Sequence, residues 1–270
     1  SMDLNIYRGC GHGCRYCFAL YSHDYLEAGD FYRDIFVKKN VVEVLERELR
    51  NPKVNCGVIN IGGVTDSYQP AEAEKRLMPE IWRLMIRHKT PVCISTKSDL
   101  ILRDIDLIAE LASVAQVNVA ATVTAMDETV RKMLEPGAVS SKRRLEMLRQ
   151  MKAAGAIVGV HMMPLVPLLT DDQNNIDRLF AAAQEYGDYA IVCAMNLRGR
   201  TRRSFLEFIR RSYPELLREM QALYRDGHLD KAYKKAMYAR VQRALEKYPV
   251  SLDYNVIHPR QEYRQLTLFE

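Results

Sequence analysis

Cys10, Cys14 and Cys17 lie within eight residues in "YRGCGHGCRYCFAL". Their C-x3-C-x2-C spacing offers three thiolates from one short loop. Gly9, Gly11 and Gly13 let the backbone wrap closely around whatever those sulfurs hold. Three cysteines on a cubane iron–sulfur cluster leave one iron without a protein ligand, and an open coordination position is where a small molecule can bind and react. Two other readings stay open on spacing alone. His12 or His23 could serve as the fourth ligand of a zinc site, although zinc favours paired C-x2-C units, or the three could simply be loop cysteines.

The elements that must position this loop are legible in the rest of the chain. It has 270 residues, 48% hydrophobic and 27% charged, with a net charge of +5. That is ordinary globular composition, and α/β barrels of this size form one domain. The mild positive charge permits an acidic partner such as nucleic acid without requiring one. No apolar run is long enough to span a bilayer and no secretory signal is read ahead of the cysteines. Six cysteines, three of them in one motif, do not make a disulfide framework, so a reducing cytoplasm is expected. Short β-branched runs over 4–8, 54–63, 91–97, 117–124, 156–166 and 189–196 read as strands. Amphipathic stretches over 41–50, 71–88, 100–112, 140–155 and 171–187 read as helices. The alternation predicts α/β architecture, a parallel sheet with helices outside: an open or partial (β/α)6 barrel. The expected organisation is a barrel over 1–200, a C-terminal helical extension packed on it over 201–250, and a tail over 251–270. Chemistry in such barrels sits at the C-terminal ends of the strands, and the cysteine triplet follows the first strand.

The triplet, with Tyr16 before its last cysteine, resembles the radical S-adenosylmethionine superfamily. The resemblance implies a radical SAM partial barrel, a 4Fe-4S cluster on Cys10, Cys14 and Cys17, and S-adenosyl-L-methionine bound at the open iron. Reductive cleavage then gives a 5′-deoxyadenosyl radical that abstracts hydrogen from a substrate, with electrons from a donor such as flavodoxin or ferredoxin. More narrowly, "VTDSYQPAEAEKRL", "ISTKSDLILRDIDLI", "LEPGAVSSKRRLEMLRQMKAAG" and "HMMPLVPLLTDD" resemble the spore photoproduct lyase-like group, from about residue 5 to about residue 215. Two positions depart from that group. Gly63 stands where authentic lyases carry a hydrogen-donating cysteine, and Phe18 where they carry a tyrosine. The radical-generating half is intact and the lesion-specific half is not, so nucleic acid is the expected substrate class and the spore lesion is not. A peptide or small metabolite is the alternative substrate. A metal-containing DNA-binding adaptor is the non-enzymatic alternative.

The resemblance also ranks residues around the expected cofactor. Gly62 and Gly63 end the second strand, where superfamily members let the backbone approach the methionine amino group. Thr65 and Asp66 follow at the mouth, and Asp66 could equally cap the next helix. Lys97 ends the third strand, on the same side as Cys93 and Ser95, and by resemblance contacts the methionine carboxylate. Otherwise it is a solvated loop lysine. Thr122 and Thr124 share one strand face within reach of the ribose, or serve only packing. His161, alone in an apolar strand, is as readily a satisfied core histidine. Cys56, Cys93 and Cys193 read as small buried hydrophobes. The arginines of "RGRTRRSFLEFIRR" start at the sixth strand's end and could hold phosphates, or form a solvated helix face. Gln265, Leu266, Leu268 and Phe269 in "RQLTLFE" resemble the peptide by which bacterial DNA repair proteins dock on the DNA sliding clamp. The competing reading has this tail folding back on the barrel.

Overall fold

The computed structural model describes residues 2–23, 29–51 and 57–253. Its sheet is built from β1 (Met2–Leu4), β4 (Ile59–Ile61), β5 (Val92–Thr96), β6 (Val117–Thr122), β7 (Ile157–Leu165) and β8 (Tyr189–Ala194), all parallel and in that spatial order. β2 (Tyr7–Arg8) and β3 (Phe36–Val37) form a small antiparallel pair outside it. The sheet is the six-stranded partial barrel that the β–α alternation predicts. The run over 4–8 is not one strand, however. Its front end pairs with β4, and its back end turns out to pair with β3. This delivers Gly9 and the cysteines to the mouth.

Helices cover the outer face: α1 (Val41–Arg50), α2 (Pro70–Lys75), α3 (Met78–Arg87), α4 (Ile105–Ala112), α5 (Glu128–Leu134), α6 (Ser141–Ala153) and α7 (Gln173–Tyr186). The stretch 71–88 is two helices because Arg76 takes a left-handed φ of 50° and Pro79 opens the next one. Residues 99–104 are 3-10 rather than α. Helix α6 has the side chain of Ser140 as its N-cap, and Gly155 just past its end takes a φ of 92°, the left-handed stop that favours glycine. The Asp172 side chain caps α7. Leu, Ile, Val and Met from the helices and from the outward strand positions make one core, with Trp82, Met85, Ile94, Leu148, Val158 and Phe180 fully buried.

Beyond β8 the chain is helical: α8 (Gly199–Ser212), α9 (Leu217–Leu223) and α10 (Lys231–Lys247). Helix α10 lies along α7, while α8 packs against the 3-10 segment Phe18–His23 that follows the cysteines. Among the described residues, no helix is long and apolar enough to cross a membrane. Cys56 and the sliding-clamp-like residues of the tail lie outside the described residues. Cys193 is exposed, against the expectation of a buried residue, because β8 is the sheet's edge strand.

Candidate cofactor site at the barrel mouth

The loop that carries the cysteines is fastened on every side. Gly9 has a φ of 83°, and a Cβ there would meet the carbonyl oxygens of Asp34 at 2.8 Å and Phe31 at 2.9 Å, so only glycine allows the approach. Gln69 accepts from the Gly11 amide at 2.8 Å and donates to the Gly9 carbonyl at 3.0 Å. Thr65 Oγ1 also donates to the Gly9 carbonyl, at 2.6 Å. From the other side comes the turn after α5. The Arg15 amide donates to Leu134 O at 2.8 Å, and the Gly137 amide donates to His12 O at 2.9 Å. A Cβ on Gly137 would lie 2.5 Å from Gly11 O. Tyr32 Oη donates to Cys14 O at 2.8 Å, and Thr201 Oγ1 on α8 donates to Cys17 O at 2.9 Å.

Cys10 and Cys14 are buried and Cys17 is half-buried. Burial pushes all three thiols up to about 12. Such thiols are poor metal-free thiolates, and a positively charged iron–sulfur core is what ionises them. Backbone amides of His12 and Asp66 face the Cys10 sulfur, and that of Ala19 faces Cys17. Amide-to-sulfur bonds of this kind adjust iron–sulfur potentials.

The zinc reading loses its fourth ligand. His12 uses both ring nitrogens, Nδ1 on Gly137 O at 3.1 Å and Nε2 on Asp66 at 3.0 Å. His23 has Nε2 on Asp34 O and its ring packed edge-on to Phe31 and Phe36. Among the described residues, no three His, Cys, Asp or Glu side chains converge on a single-ion position. A cubane spreads its cysteines over different iron corners, so the donor set fits a three-cysteine cluster better than a lone ion.

Asp66 is a strut. It accepts from Thr96 Oγ1 at 2.9 Å and from the amides of Lys97 at 2.8 Å and Tyr68 at 2.9 Å, and it pairs with His12. Burial alone would raise its pKa, but His12 and the Lys97 amide outweigh burial and hold the carboxyl well below the usual carboxylate range. Its oxygens are consumed in tying β5 to the cysteine loop, and the N-cap of α2 is Gln69. Gly62 takes a φ of 83° in a tight turn in which a Cβ would lie 2.8 Å from Thr65 O. Around Gly63 there is open space, with no atom within 4 Å of where a Cβ would stand.

Lys97 is at the mouth. Its Nζ stands over the Tyr16 ring, 5.9 Å from the centroid, and among the described residues it forms no direct ion pair. Burial lowers its pKa, but Cys14, Glu135 and Asp66 outweigh that and raise it, so it is a cation at neutral pH. Beneath it, Glu135 and Arg144 form a fully buried ion pair at 2.6 Å. Tyr16 Oη donates to the same carboxylate, and Thr124 Oγ1 is 3.4 Å from it. Thr124 thus faces Glu135 and packs fully buried. Thr122 belongs to a different group. A polar column runs up the barrel interior: Tyr189 Oη donates to Asn118 Oδ1 at 2.8 Å and meets His161 Nε2 at 3.2 Å, while Ser95 Oγ lies 3.3 Å from His161 Nδ1 and 3.4 Å from Thr122 Oγ1. Gly159 makes room for the Tyr189 ring, which would otherwise clash with a Cβ at 2.1 Å. Burial, with help from Lys97, brings His161 down to about 4, so it is neutral at pH 7.

The structure therefore gathers Cys10, Cys14, Cys17, Tyr16, Lys97, Asp66, Thr65 and Thr124 around the mouth, with Gly62 and Gly63 at the end of β4. Thr122 and His161 sit on the interior column. The residues sequence reasoning missed are Gln69, His12 as a strut, Glu135, Gly137 and Arg144. The acidic–Pro–Gly turn "LEPG" was the visible signal for Glu135 and Gly137.

A parallel partial barrel with a three-cysteine loop at its C-terminal mouth defines a class of protein built around an open iron–sulfur site. The chain belongs to the radical SAM superfamily, whose pattern matches residues 4–180. The superfamily uses a 4Fe-4S cluster and S-adenosylmethionine. An uncharacterized protein of Mycobacterium tuberculosis (strain H37Rv) is 36% identical over 275 residues, covering 98% of this chain and 81% of that protein. The fold is similar to that of a spore photoproduct lyase mutant with bound AdoMet and dinucleoside spore photoproduct, with a TM-score of 0.64, 14% identity, and coverage of 93% of this chain and 75% of that one. Streptococcus suis SuiB bound to the precursor peptide SuiA is also similar, with a TM-score of 0.56, 14% identity, and coverage of 93% and 47%.

Proposed function

We propose that this chain is a radical SAM enzyme of the spore photoproduct lyase-like group that acts on DNA, on a target other than the spore lesion. Cys10, Cys14 and Cys17 hold the cluster, and Lys97 binds the methionine carboxylate. Given one electron from a flavodoxin or ferredoxin, the bound cofactor pair would supply a 5′-deoxyadenosyl radical. The chain's own residues hold and orient it. Gln69, Thr65 and Gly137 fix the loop, Glu135 and Arg144 hold Tyr16 under Lys97, and the open space beside Gly63 leaves room for the methionine amino group at the end of β4.

The observation that carries the nucleic-acid reading is the attachment of α8. The arginine run that begins at Arg198 is tied to the cysteine loop through Thr201 and Cys17, so positive charge stands at the edge of the reaction chamber. The loss of the lyase cysteine at Gly63 and tyrosine at Phe18 argues against the spore lesion. A cytoplasmic location suits oxygen-sensitive thiolates, and an acidic flavodoxin or ferredoxin suits the basic surface. Docking on the sliding clamp through Gln265, Leu266, Leu268 and Phe269 belongs to the same reading, and a peptide of the last ten residues should bind the clamp with a Kd of about micromolar.

The test is anaerobic reconstitution followed by incubation with dithionite as the electron source, S-adenosylmethionine and deuterated DNA. Deuterium entering 5′-deoxyadenosine supports the reading. Cleavage of S-adenosylmethionine that no DNA accelerates or labels, while a peptide or metabolite does, overturns the substrate class.

A further inference from the structure

Beside Cys17 a cleft of about 350 Å3 opens between the 3-10 segment Phe18–His23 and the start of α8, lined by Phe18, Tyr21, Asn196, Arg198, Arg200 and Thr201. Its chemistry is unusual for a protein surface. Phe18 is 61% exposed and Tyr21 47% exposed, although both follow directly on the most tightly built loop of the molecule. Large exposed aromatics next to an active site point to something that covers them. Two guanidinium groups share the cleft. Arg198 Nη2 lies 2.9 Å from the ring nitrogens of His228, and Arg200 Nη2 donates to Gly29 O at 3.4 Å, so both side chains are partly anchored. Arg198 is also the N-cap residue of α8 and makes no side-chain capping bond. The first amides of a 14-residue helix therefore add their partial positive charge to the two arginines.

We propose that this cleft binds one nucleotide of single-stranded DNA. Phe18 and Tyr21 stack on its base, and Arg198, Arg200 and the α8 amides hold its phosphate. The inference rests on the nucleic-acid reading above and adds the strand state of the substrate. Flat aromatic faces recognise a base only where that base is unpaired and its own face is free. The volume falls at the small end of the range for single small-molecule ligands, about 300–1,000 Å3. That is room for one nucleotide. Thr201 joins the floor of the cleft to Cys17, so the neighbouring nucleotide of the same strand is the one delivered to the mouth.

The experiment uses the full, cluster-loaded chain under anaerobic conditions, with fluorescence polarisation of a labelled oligothymidylate and of a duplex of equal length. The single strand should bind more tightly than the duplex. Tyr21→Ala should weaken single-strand binding about tenfold, with iron content and S-adenosylmethionine binding unchanged. Phe18→Trp, which keeps a stacking face beside Cys17, should retain affinity where Phe18→Ala loses it. Arg198→Gln with Arg200→Gln should reduce the slope of log K against log salt by about 0.7–1.4, the value for one to two single-strand phosphate contacts. Equal affinity for duplex and single strand, or wild-type affinity in the aromatic variants, overturns the cleft and leaves the nucleic-acid reading standing. No binding of either probe at tens of micromolar in low salt removes that reading itself.

Discussion

Lys97 has an ammonium held over an aromatic ring with carboxylates nearby but none in direct contact. Glu135 is already engaged by Arg144 and Tyr16, and Asp66 by His12, Thr96 and two amides. Both acids have closer partners than the lysine, which leaves its charge directed at the mouth. If it pairs with the methionine carboxylate, Lys97→Ala removes one charge-assisted bond, roughly 1.5–3 kcal/mol. S-adenosylmethionine binding should weaken about tenfold or more, as measured by equilibrium dialysis, with iron and sulfide content unchanged. Unaltered affinity would return Lys97 to a packing role against Tyr16. The cysteines divide in the same way. Cys10→Ala, Cys14→Ala or Cys17→Ala should abolish the cluster absorbance and cleavage of S-adenosylmethionine. Cys93→Ala and Cys193→Ala should not, because Cys93 only reaches Asn118, its register partner on the adjacent strand, at 3.7 Å and Cys193 is on the sheet edge. A triplet variant that assembles the cluster and turns over normally would refute the assignment.

At the scale of elements, the six parallel strands and their covering helices were legible because period and β-branching report burial directly. The cysteine loop was legible because three thiols at fixed spacing have few uses. What holds that loop was not. Gln69, His12 and Gly137 act across 58, 54 and 125 residues of sequence respectively, and long-range backbone contacts leave no periodic trace. The break at Arg76 was missed for another reason: a left-handed φ at an exposed arginine runs against propensity, and it occurs where the buried Glu72 carboxylate accepts the amides of Leu77 and Met78. The same physics separates three glycines that look alike in sequence. Gly137 has the backbone of the cysteine loop where a Cβ would be, and Gly62 has Thr65 O, whereas Gly63 faces open space. Gly137→Ala should push the loop away from the turn, lowering iron content and the thermal midpoint, since overpacking against backbone typically costs about 1–3 kcal/mol. Gly63→Ala should leave both unchanged. A fully loaded, equally stable Gly137→Ala protein would show that the turn does not hold the loop.

For the whole molecule, the barrel interior matters because it is polar where most cores of this size are not. Asn118, Tyr189, His161, Ser95 and Thr122 form one column, and its stability depends on His161 remaining neutral. The unfolded chain takes up a proton at this histidine near pH 6.5, whereas the folded chain takes it up only near pH 4. Between those values unfolding binds a proton, so stability falls as pH falls. The contribution is fully present above the unfolded value and is lost towards the folded one. Carboxylates held low, such as Asp66 and Glu135, add their own acid sensitivity only further down, as the solution falls through the ordinary carboxylate range. The window from pH 7 to pH 5 therefore lies above the carboxylate range and inside that of the column. At about 1.4 kcal/mol per pH unit for one full proton, His161 should take about 2 kcal/mol from the unfolding free energy across it. His161→Gln keeps a polar side chain but cannot titrate, so it should flatten the slope even if it lowers stability at every pH. Denaturant unfolding of the two proteins at a series of pH values reads the slope directly. Parallel curves for wild type and His161→Gln would mean that another group governs the acid response.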